Sequence, residues 1–215
     1  MSLGLINKEI PFNVSRETIE RLEILFSLLK KWQPRINLIS PPKGLADELL
    51  DLYIWERHFL DSLQIYPLLD NDSSILDIGS GGGFPGLVVA ACGIQDIYLV
   101  ESDKRKCEFL KEASRQMSVG TTVINDRFEK LSASDFSSKL TITSRACASI
   151  TKLLWLTRQF HHTANYALLK GEQLDQELSE AKADWQMTTK TIQSITNENS
   201  SIVMIQGVGP YDKKK

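Results

Sequence analysis

The chain has 215 residues, of which 42% are hydrophobic and 24% charged, with 25 Lys+Arg against 27 Asp+Glu and a formal net charge of −2. That mixture excludes disordered and fibrous classes, and the charge balance excludes a general positive field that would draw the whole molecule onto nucleic acid or membrane, so such a partner has to be held by a local patch. The length suits one generous domain or one domain with an appended piece.

No apolar run approaches the roughly 18 residues needed to span a bilayer. The opening MSLGLINKEI lacks the basic start and long apolar stretch of a secretory signal, so a cytoplasmic protein without a membrane partner is expected. Cys92, Cys107 and Cys147 stand far apart with no CxxC or Cys/His ligand spacing, which argues for reduced thiols and against structural zinc or any other metal. No period of 20 to 50 residues repeats, which removes solenoids and arrays.

In chain order, Ser15 is placed to cap a helix whose apolar residues Ile19, Leu22, Leu25, Phe26, Leu29 and Trp32 recur at three- and four-residue steps and stop near Pro34. Lys30, Lys31, Arg35 and Lys43 cluster near its end, as either a solvated face or an RNA patch. Asn37 follows, suited either to a turn or to a target base. A second helical pattern runs from about Leu45 to Tyr66 and carries Leu49, Tyr53, Arg57, His58 and Asp61. Arg57 and Asp61 are spaced i,i+4 and His58 and Asp61 one turn apart, compatible with a simple ion pair or with a functional role. Residues 1–72 are therefore expected to form a helical extension packed on a core spanning 73–210.

From Ser73 the texture changes to short apolar runs alternating with helical segments, namely SILDI, GLVVAAC, IYLVES, KRKCEFLKEASRQMS, TTVIN, LTITSRA, SITKLLWLTRQF, NYALLKG and EQLDQELSEAKA. This alternation predicts an α/β fold with a mostly parallel sheet covered by crossover helices. WQMTTKTIQSI and SIVMIQGV have no helix between them and predict a closing antiparallel hairpin. His161 and His162, in a loop after an amphipathic helix, are expected to face solvent. Residues 211–215, ending in three lysines, read as a basic solvated tail.

The densest chemical signal is the strand-like run ending at Ile78 followed by Gly79-Ser80-Gly81-Gly82-Gly83-Phe84-Pro85-Gly86. Such a loop takes positive φ and lets a ligand approach the backbone at the carboxyl edge of a sheet. Glu101 closes the next strand, where a carboxylate accepts both hydroxyls of a ribose. An adenosine-type cofactor follows. A dinucleotide would want a glycine at the sixth position of the motif, where Phe84 stands. S-adenosylmethionine has no phosphate and carries an ammonium and a sulfonium, so it tolerates a carboxylate beside the loop. Asp77 supplies one, unless it serves only to order backbone amides. The D-x-G-x-G-x-G form with Glu101 resembles the Rossmann-like, class I methyltransferases.

WQPRINLI (Trp32 to Ile39), RHFLDSL (Arg57 to Leu63), LDIGSGGGFPGL (Leu76 to Leu87), DRFEKL (Asp126 to Leu131), SRACASI (Ser144 to Ile150) and LLKGEQLDQEL (Leu168 to Leu178), in this order, resemble the small-subunit ribosomal RNA guanine-N7 methyltransferase G family, also called glucose-inhibited division protein B. The resemblance implies a class I fold with an N-terminal helical extension, S-adenosyl-L-methionine as methyl donor, and 16S ribosomal RNA or the small ribosomal subunit as partner of a monomeric enzyme. It implies cofactor contacts at Gly79 and Phe84, at Phe128 and Glu129, and at Arg145, which join Asp77, Gly81 and Glu101 from the loop reading. Arg145 and Lys170, each at a predicted strand end, are expected on the acceptor side, with Lys170 touching RNA phosphate. A protein or small-molecule methyltransferase, a nicotinamide-dependent oxidoreductase and a non-catalytic ribosome-binding factor are the alternatives the residues leave to be tested.

Overall fold

The computed structural model describes residues 10–11, 13–136, 139–145 and 148–210. The basic tail, Cys147 and most of the opening MSLGLINKEI lie outside them. Helix α1 (Arg16–Trp32) starts where its cap predicts, with Ser15 Oγ accepting from the Thr18 amide at 3.1 Å, and it buries the stripe Leu22, Leu25, Leu28 and Leu29.

The second helical pattern is present but is not uniform. It consists of α2 (Asp47–Ile54), a π-helical stretch Trp55–Leu60 and α3 (Asp61–Leu63), followed by a 3-10 turn Tyr66–Leu68 around Pro67. Widening the helix by a residue per turn changes which side chains share a face. Here Trp55, His58, Phe59, Asp61, Ser62 and Leu63 all become buried.

The remaining elements are β1 (Ser74–Ile78), α4 (Gly86–Ala91), β2 (Ile97–Val100), α5 (Lys104–Gln116), β3 (Thr121–Ile124), β4 (Leu140–Arg145), α6 (Ile150–Leu156), β5 (Ala164–Lys170), α7 (Leu174–Asp184), β6 (Trp185–Gln193) and β7 (Ser201–Pro210). They form one seven-stranded sheet of order β3-β2-β1-β4-β5-β7-β6. The first five strands are parallel, and β7 is inserted antiparallel between β5 and β6. The predicted hairpin is therefore β6–β7, joined to the sheet through its second strand.

Strand alternation divides the core. Ile75, Ile97 and Leu99 face α4, α5 and α1, in a cluster that takes in Leu22, Leu25, Phe59, Leu87, Val88 and Phe109. Leu76, Ile78, Val100 and Ile142 face the other way, toward Leu153, Leu154, Leu174 and Leu178 of α6 and α7. The N-terminal helices thus share one apolar core with the first face of the sheet. Asp77 lies on that same face, under the first turn of α4. Because β2 and β4 flank β1 on opposite sides and the connections run outward from there, a crevice opens above the carboxyl ends of β1 and β4, the place where open α/β sheets bind ligands.

His161 departs from expectation. It is buried, its ring stands edge-on to Trp185 at 4.6 Å, and its Nε2 lies 3.0 Å from the Leu154 carbonyl. The chain turns back after α6 and the imidazole fills the corner beside Trp185, whereas His162 stays exposed. Of the basic cluster, Lys30 is paired with Asp51, and Lys31 and Arg35 line a groove with Lys111 and Arg115 of α5, where Glu108 and Glu112 offset them.

Candidate cofactor and acceptor site

The loop after β1 turns through three glycines at positive φ, Gly79 (68°), Gly81 (54°) and Gly83 (88°), which side-chain-bearing residues rarely adopt. The Gly79 and Ser80 amides donate to the Val100 carbonyl, and the Gly83 amide closes the turn on the Ser80 carbonyl at 2.7 Å. Above Gly81 the space is open: a Cβ built there meets only the Gly79 carbonyl, at 3.7 Å.

Glu101 clamps this loop. One carboxylate oxygen accepts from the Gly81 amide at 3.0 Å and the other from the Asp103 amide at 2.8 Å. Ser102 Oγ also lies 3.5 Å from the second oxygen, and since a carboxylate has about four lone-pair positions, the oxygen bound by Gly81 keeps one of them on a carboxylate already fixed by backbone. Asn125, after β3, donates to the Glu101 and Ser102 carbonyls, both at 3.1 Å, and holds the ends of β2 and β3 together. Beyond it the 3-10 turn Phe128–Lys130 presents a half-buried Phe128 and an exposed Glu129 at the same sheet edge.

The Asp77 carboxylate and the Phe84 ring lie under the loop. Asp77 is fully buried and accepts from Thr143 Oγ1 at 3.0 Å and from the Gly86 amide at 3.3 Å. Burial pushes its carboxyl up to about 6, against the opposing effect of these hydrogen bonds. The loop-ordering reading of Asp77 is the one the geometry supports. Phe84 is packed between His58 and Phe59, with the Arg145 guanidinium 5.4 Å from its ring centroid. The close-packing glycine is Gly86, where a Cβ would come within 2.7 Å of Asp77 Oδ2 and also strike Leu99. We expect Gly86→Ala to cost about 1–3 kcal/mol of stability by overpacking, read as a lowered denaturation midpoint. An unchanged midpoint would show that α4 slides without strain.

The segment after α1 covers this loop. Gln33 Oε1 accepts from the amides of Leu38 and Ile39, each at 3.0 Å, and a Cβ on Gly82 would lie 3.1 Å from the Leu38 carbonyl. Asn37 itself is exposed beside this contact.

Arg145, at the end of β4, donates to the Arg57 carbonyl at 2.7 Å and meets His58 Nδ1. Burial lowers its guanidinium to about 10, which leaves it charged at neutral pH. Burial, then Arg145 and Arg57, depress His58 to about 3. The imidazole is neutral, Nδ1 accepts, and the proton sits on Nε2, which is buried with no hydrogen-bond partner among the described residues. Since the unfolded histidine titrates near 6.5, His58 contributes stability above that pH and loses it as pH falls toward 3. Asp77 has the opposite sign: its unfolded carboxyl titrates near 3.8, so its contribution is complete below that value and is lost as pH rises through 6. The two slopes oppose each other between about pH 4 and 6. The stability gap between the wild type and His58→Asn should therefore narrow by about 1 kcal/mol per pH unit as pH falls from 6.5 to 4. A gap constant with pH in urea titrations would remove the buried neutral histidine.

His58 does not pair with Asp61. Asp61 is buried, accepts from Thr196 Oγ1 at 2.9 Å and Gln64 Nε2 at 3.2 Å, and faces Arg57 at 3.5 Å, so the π-helical turn is tied to the loop before β7. Lys170 is also paired within the protein. Its side chain is 8% exposed and donates to the Ala148 carbonyl at 2.5 Å and to Glu177 Oε2 at 2.8 Å. Arg57, Asp61, Arg145, Lys170, Glu177 and Ser200 line a cavity of about 260 Å³ beside the loop crevice, over the ends of β4 and β5. Glu177, Asn125 and Thr143 carry no signal of their own in the sequence, and Gly86, directly after FP, is marked there only as part of the glycine loop.

Strand order, inserted antiparallel strand, glycine crevice and fixed strand-end acid together define a class I methyltransferase fold. The Synechocystis PCC 6803 magnesium protoporphyrin IX methyltransferase, solved with bound S-adenosylmethionine, superposes with a TM-score of 0.53 at 10% identity, covering 91% of this chain and 98% of its own. A fibrillarin/Nop5p complex gives 0.54 at 14% identity over 72% and 83%. The family model described as rRNA small subunit methyltransferase G matches residues 18–203, and the chain belongs to that family. Ribosomal RNA small subunit methyltransferase G of Paramagnetospirillum magneticum is 40% identical over 91% of each chain, and that of Gluconobacter oxydans 41% identical over 89% of this chain and 95% of its own.

Proposed function

We propose that this chain, acting as a monomer in the cytoplasm, transfers a methyl group from S-adenosyl-L-methionine to N7 of a guanine in 16S ribosomal RNA, naked or within the small subunit, with residues 1–72 as a helical extension forming part of the RNA surface. The observation that carries the reading is the pairing of a ribose-competent acid, Glu101, fixed on the Gly81 amide, with a separate cavity across Arg145. Family membership supports the nucleic-acid substrate.

The residues present fit this cofactor better than a dinucleotide. A pyrophosphate needs free amides at the helix start. The first amide of α4, that of Gly86, is already taken by Asp77, while those of Phe84 and Leu87 are taken by the carbonyls of Ser80 and Gly83. A buried carboxylate at that point disfavours phosphate and tolerates a cation.

Bound S-adenosylmethionine supplies an activated methyl on a sulfonium. Gly79 and Gly81 leave the backbone open to it, Glu101 accepts its ribose hydroxyls, and Phe128 and Glu129 flank it at the β3 end. Arg145 donates to the Arg57 carbonyl and meets the neutral His58 ring, so it keeps its charge for an anionic group at the boundary with the cavity. Guanine N7 is a lone pair with no proton to remove, so the chain has to orient the two partners and needs no general base. The purine must be unstacked to enter a cavity of this size.

Primer extension after reduction and aniline cleavage tests the assignment on 16S ribosomal RNA. A stop at one guanine in wild-type cells, absent after gene deletion, is expected. The same stop in both strains, or methyl label recovered in protein or in another base, would defeat the assignment and favour another substrate of the same fold.

A further inference from the structure

We infer that the Lys170–Glu177 pair reads the Watson–Crick edge of the target guanine, with Glu177 as the residue that sets base specificity. The inference rests on the guanine-N7 reading above and deepens it. The two side chains sit together on the cavity wall, Nζ to Oε2 at 2.8 Å. Lys170 commits one proton to the Ala148 carbonyl and another to Glu177, which leaves the third of its three N–H donors. Glu177 Oε2 accepts from Lys170 and from the Ile150 amide at 2.7 Å, while Oε1 has no hydrogen-bond partner among the described residues. The pair is thus held from β5 and from the start of α6, and it offers one donor beside one acceptor.

That array matches guanine, whose edge presents the O6 acceptor beside the N1–H and N2–H donors. Adenine presents the reverse order, a donor at N6 and an acceptor at N1. Uracil shares the acceptor and one donor but has no exocyclic amine for Oε1, so the amine becomes the discriminating group. A site built to hydrogen-bond such a group rejects an analogue lacking it far more strongly than an apolar pocket would.

The carboxylate also has a reason to favour the reaction itself. As the N7–carbon bond forms and the sulfur–carbon bond breaks, the electron pair leaves with sulfur, no proton moves, and the positive charge passes to the purine. Its N1–H and N2–H become stronger donors, so their bonds to a partly buried carboxylate are worth more in the transition state than in the ground state. Glu177 has 18% of its side chain exposed, enough to admit a base and too little for water to screen the contact fully.

The test crosses a protein change with an RNA change. Small subunits are reconstituted with 16S ribosomal RNA carrying guanosine or inosine, which lacks the 2-amino group, at the mapped position, and methyl transfer is followed with wild type and Glu177→Gln. In the wild type, inosine should lower kcat/KM roughly ten- to a hundredfold. In Glu177→Gln, transfer to guanosine should fall by a similar factor and the inosine penalty should shrink to within about twofold, because the group that senses the amine has changed. An inosine penalty equal in both proteins would make Glu177 structural and overturn the inference. Should Glu177→Gln fail to fold, a wild-type enzyme indifferent to inosine overturns it alone. No transfer to guanosine-containing 16S ribosomal RNA, either naked or in the reconstituted subunit, by wild type that binds the cofactor would instead sink the guanine reading on which this rests.

Discussion

Glu101→Ala should lower the affinity for S-adenosylmethionine by roughly ten- to a hundredfold, which corresponds to about 1.5–3 kcal/mol for hydrogen bonds to a charged group. The loss has two sources. The proposed acceptor of the ribose hydroxyls disappears, and the Gly81 amide, held at 3.0 Å by that carboxylate, loses its partner together with the Asp103 amide. Glu101→Gln separates them, since its single carbonyl oxygen can serve only one side of the clamp. Calorimetry should place Gln between wild type and Ala. Equal affinity of all three proteins would remove Glu101 from the site. Gly81→Val gives an independent check, because its side chain would enter the open space above the loop and also require a φ of 54° that a β-branched residue resists. Cofactor binding should be lost while the sheet, whose core is remote from Gly81, still melts cooperatively.

The sequence carried the alternation of strands and helices and the closing hairpin because buried parallel strands and amphipathic helices have different periods, and because nothing helical separates β6 from β7. Ser15 marked the start of α1 for an equally local reason. The glycine loop and Glu101 were legible since positive φ and a strand-end acid are written in residue type. Other features depend on contacts between distant segments. The π-helical stretch Trp55–Leu60 looks in sequence like ordinary helix, and its inward-facing His58 makes sense only with Arg145, 87 residues away, against it. Lys170 reads as a free cation until α7 brings Glu177 onto it. Asp77 belongs to the densest motif, yet only the alternation that buries Ile75 and Leu99 shows its carboxylate beneath α4, on the Gly86 amide. Proximity in sequence to a binding loop does not separate the residues that touch a ligand from those that hold the loop.

Arg145→Met should lower methyl transfer by about a hundredfold or more, and it should also lower stability. The guanidinium ties the end of β4 to two other segments: it binds the Arg57 carbonyl and meets His58 Nδ1 in the π-helical stretch, and it lies over the Phe84 ring of the glycine loop. It stands where the cofactor crevice adjoins the cavity, so removing it displaces both walls, and a displacement of about 1 Å between reacting groups is enough for such a loss. Methionine fills most of the volume but removes one donor from the Arg57 carbonyl and leaves the buried His58 Nδ1 without a donor, at about 1–3 kcal/mol for a buried group left unsatisfied. The histidine then also loses the cation that helps to hold it near 3, so its titration should move back toward 6.5 and become visible by NMR. Arg145→Lys keeps charge and loses the fork that reaches both partners, and should recover little activity. Because a positioning role differs from phosphate binding, the salt dependence of RNA affinity should keep nearly its wild-type slope, whereas loss of a phosphate contact on single-stranded RNA would reduce it by about 0.7. A slope lowered by that amount, with turnover at saturating RNA intact, would reassign Arg145 to the RNA backbone.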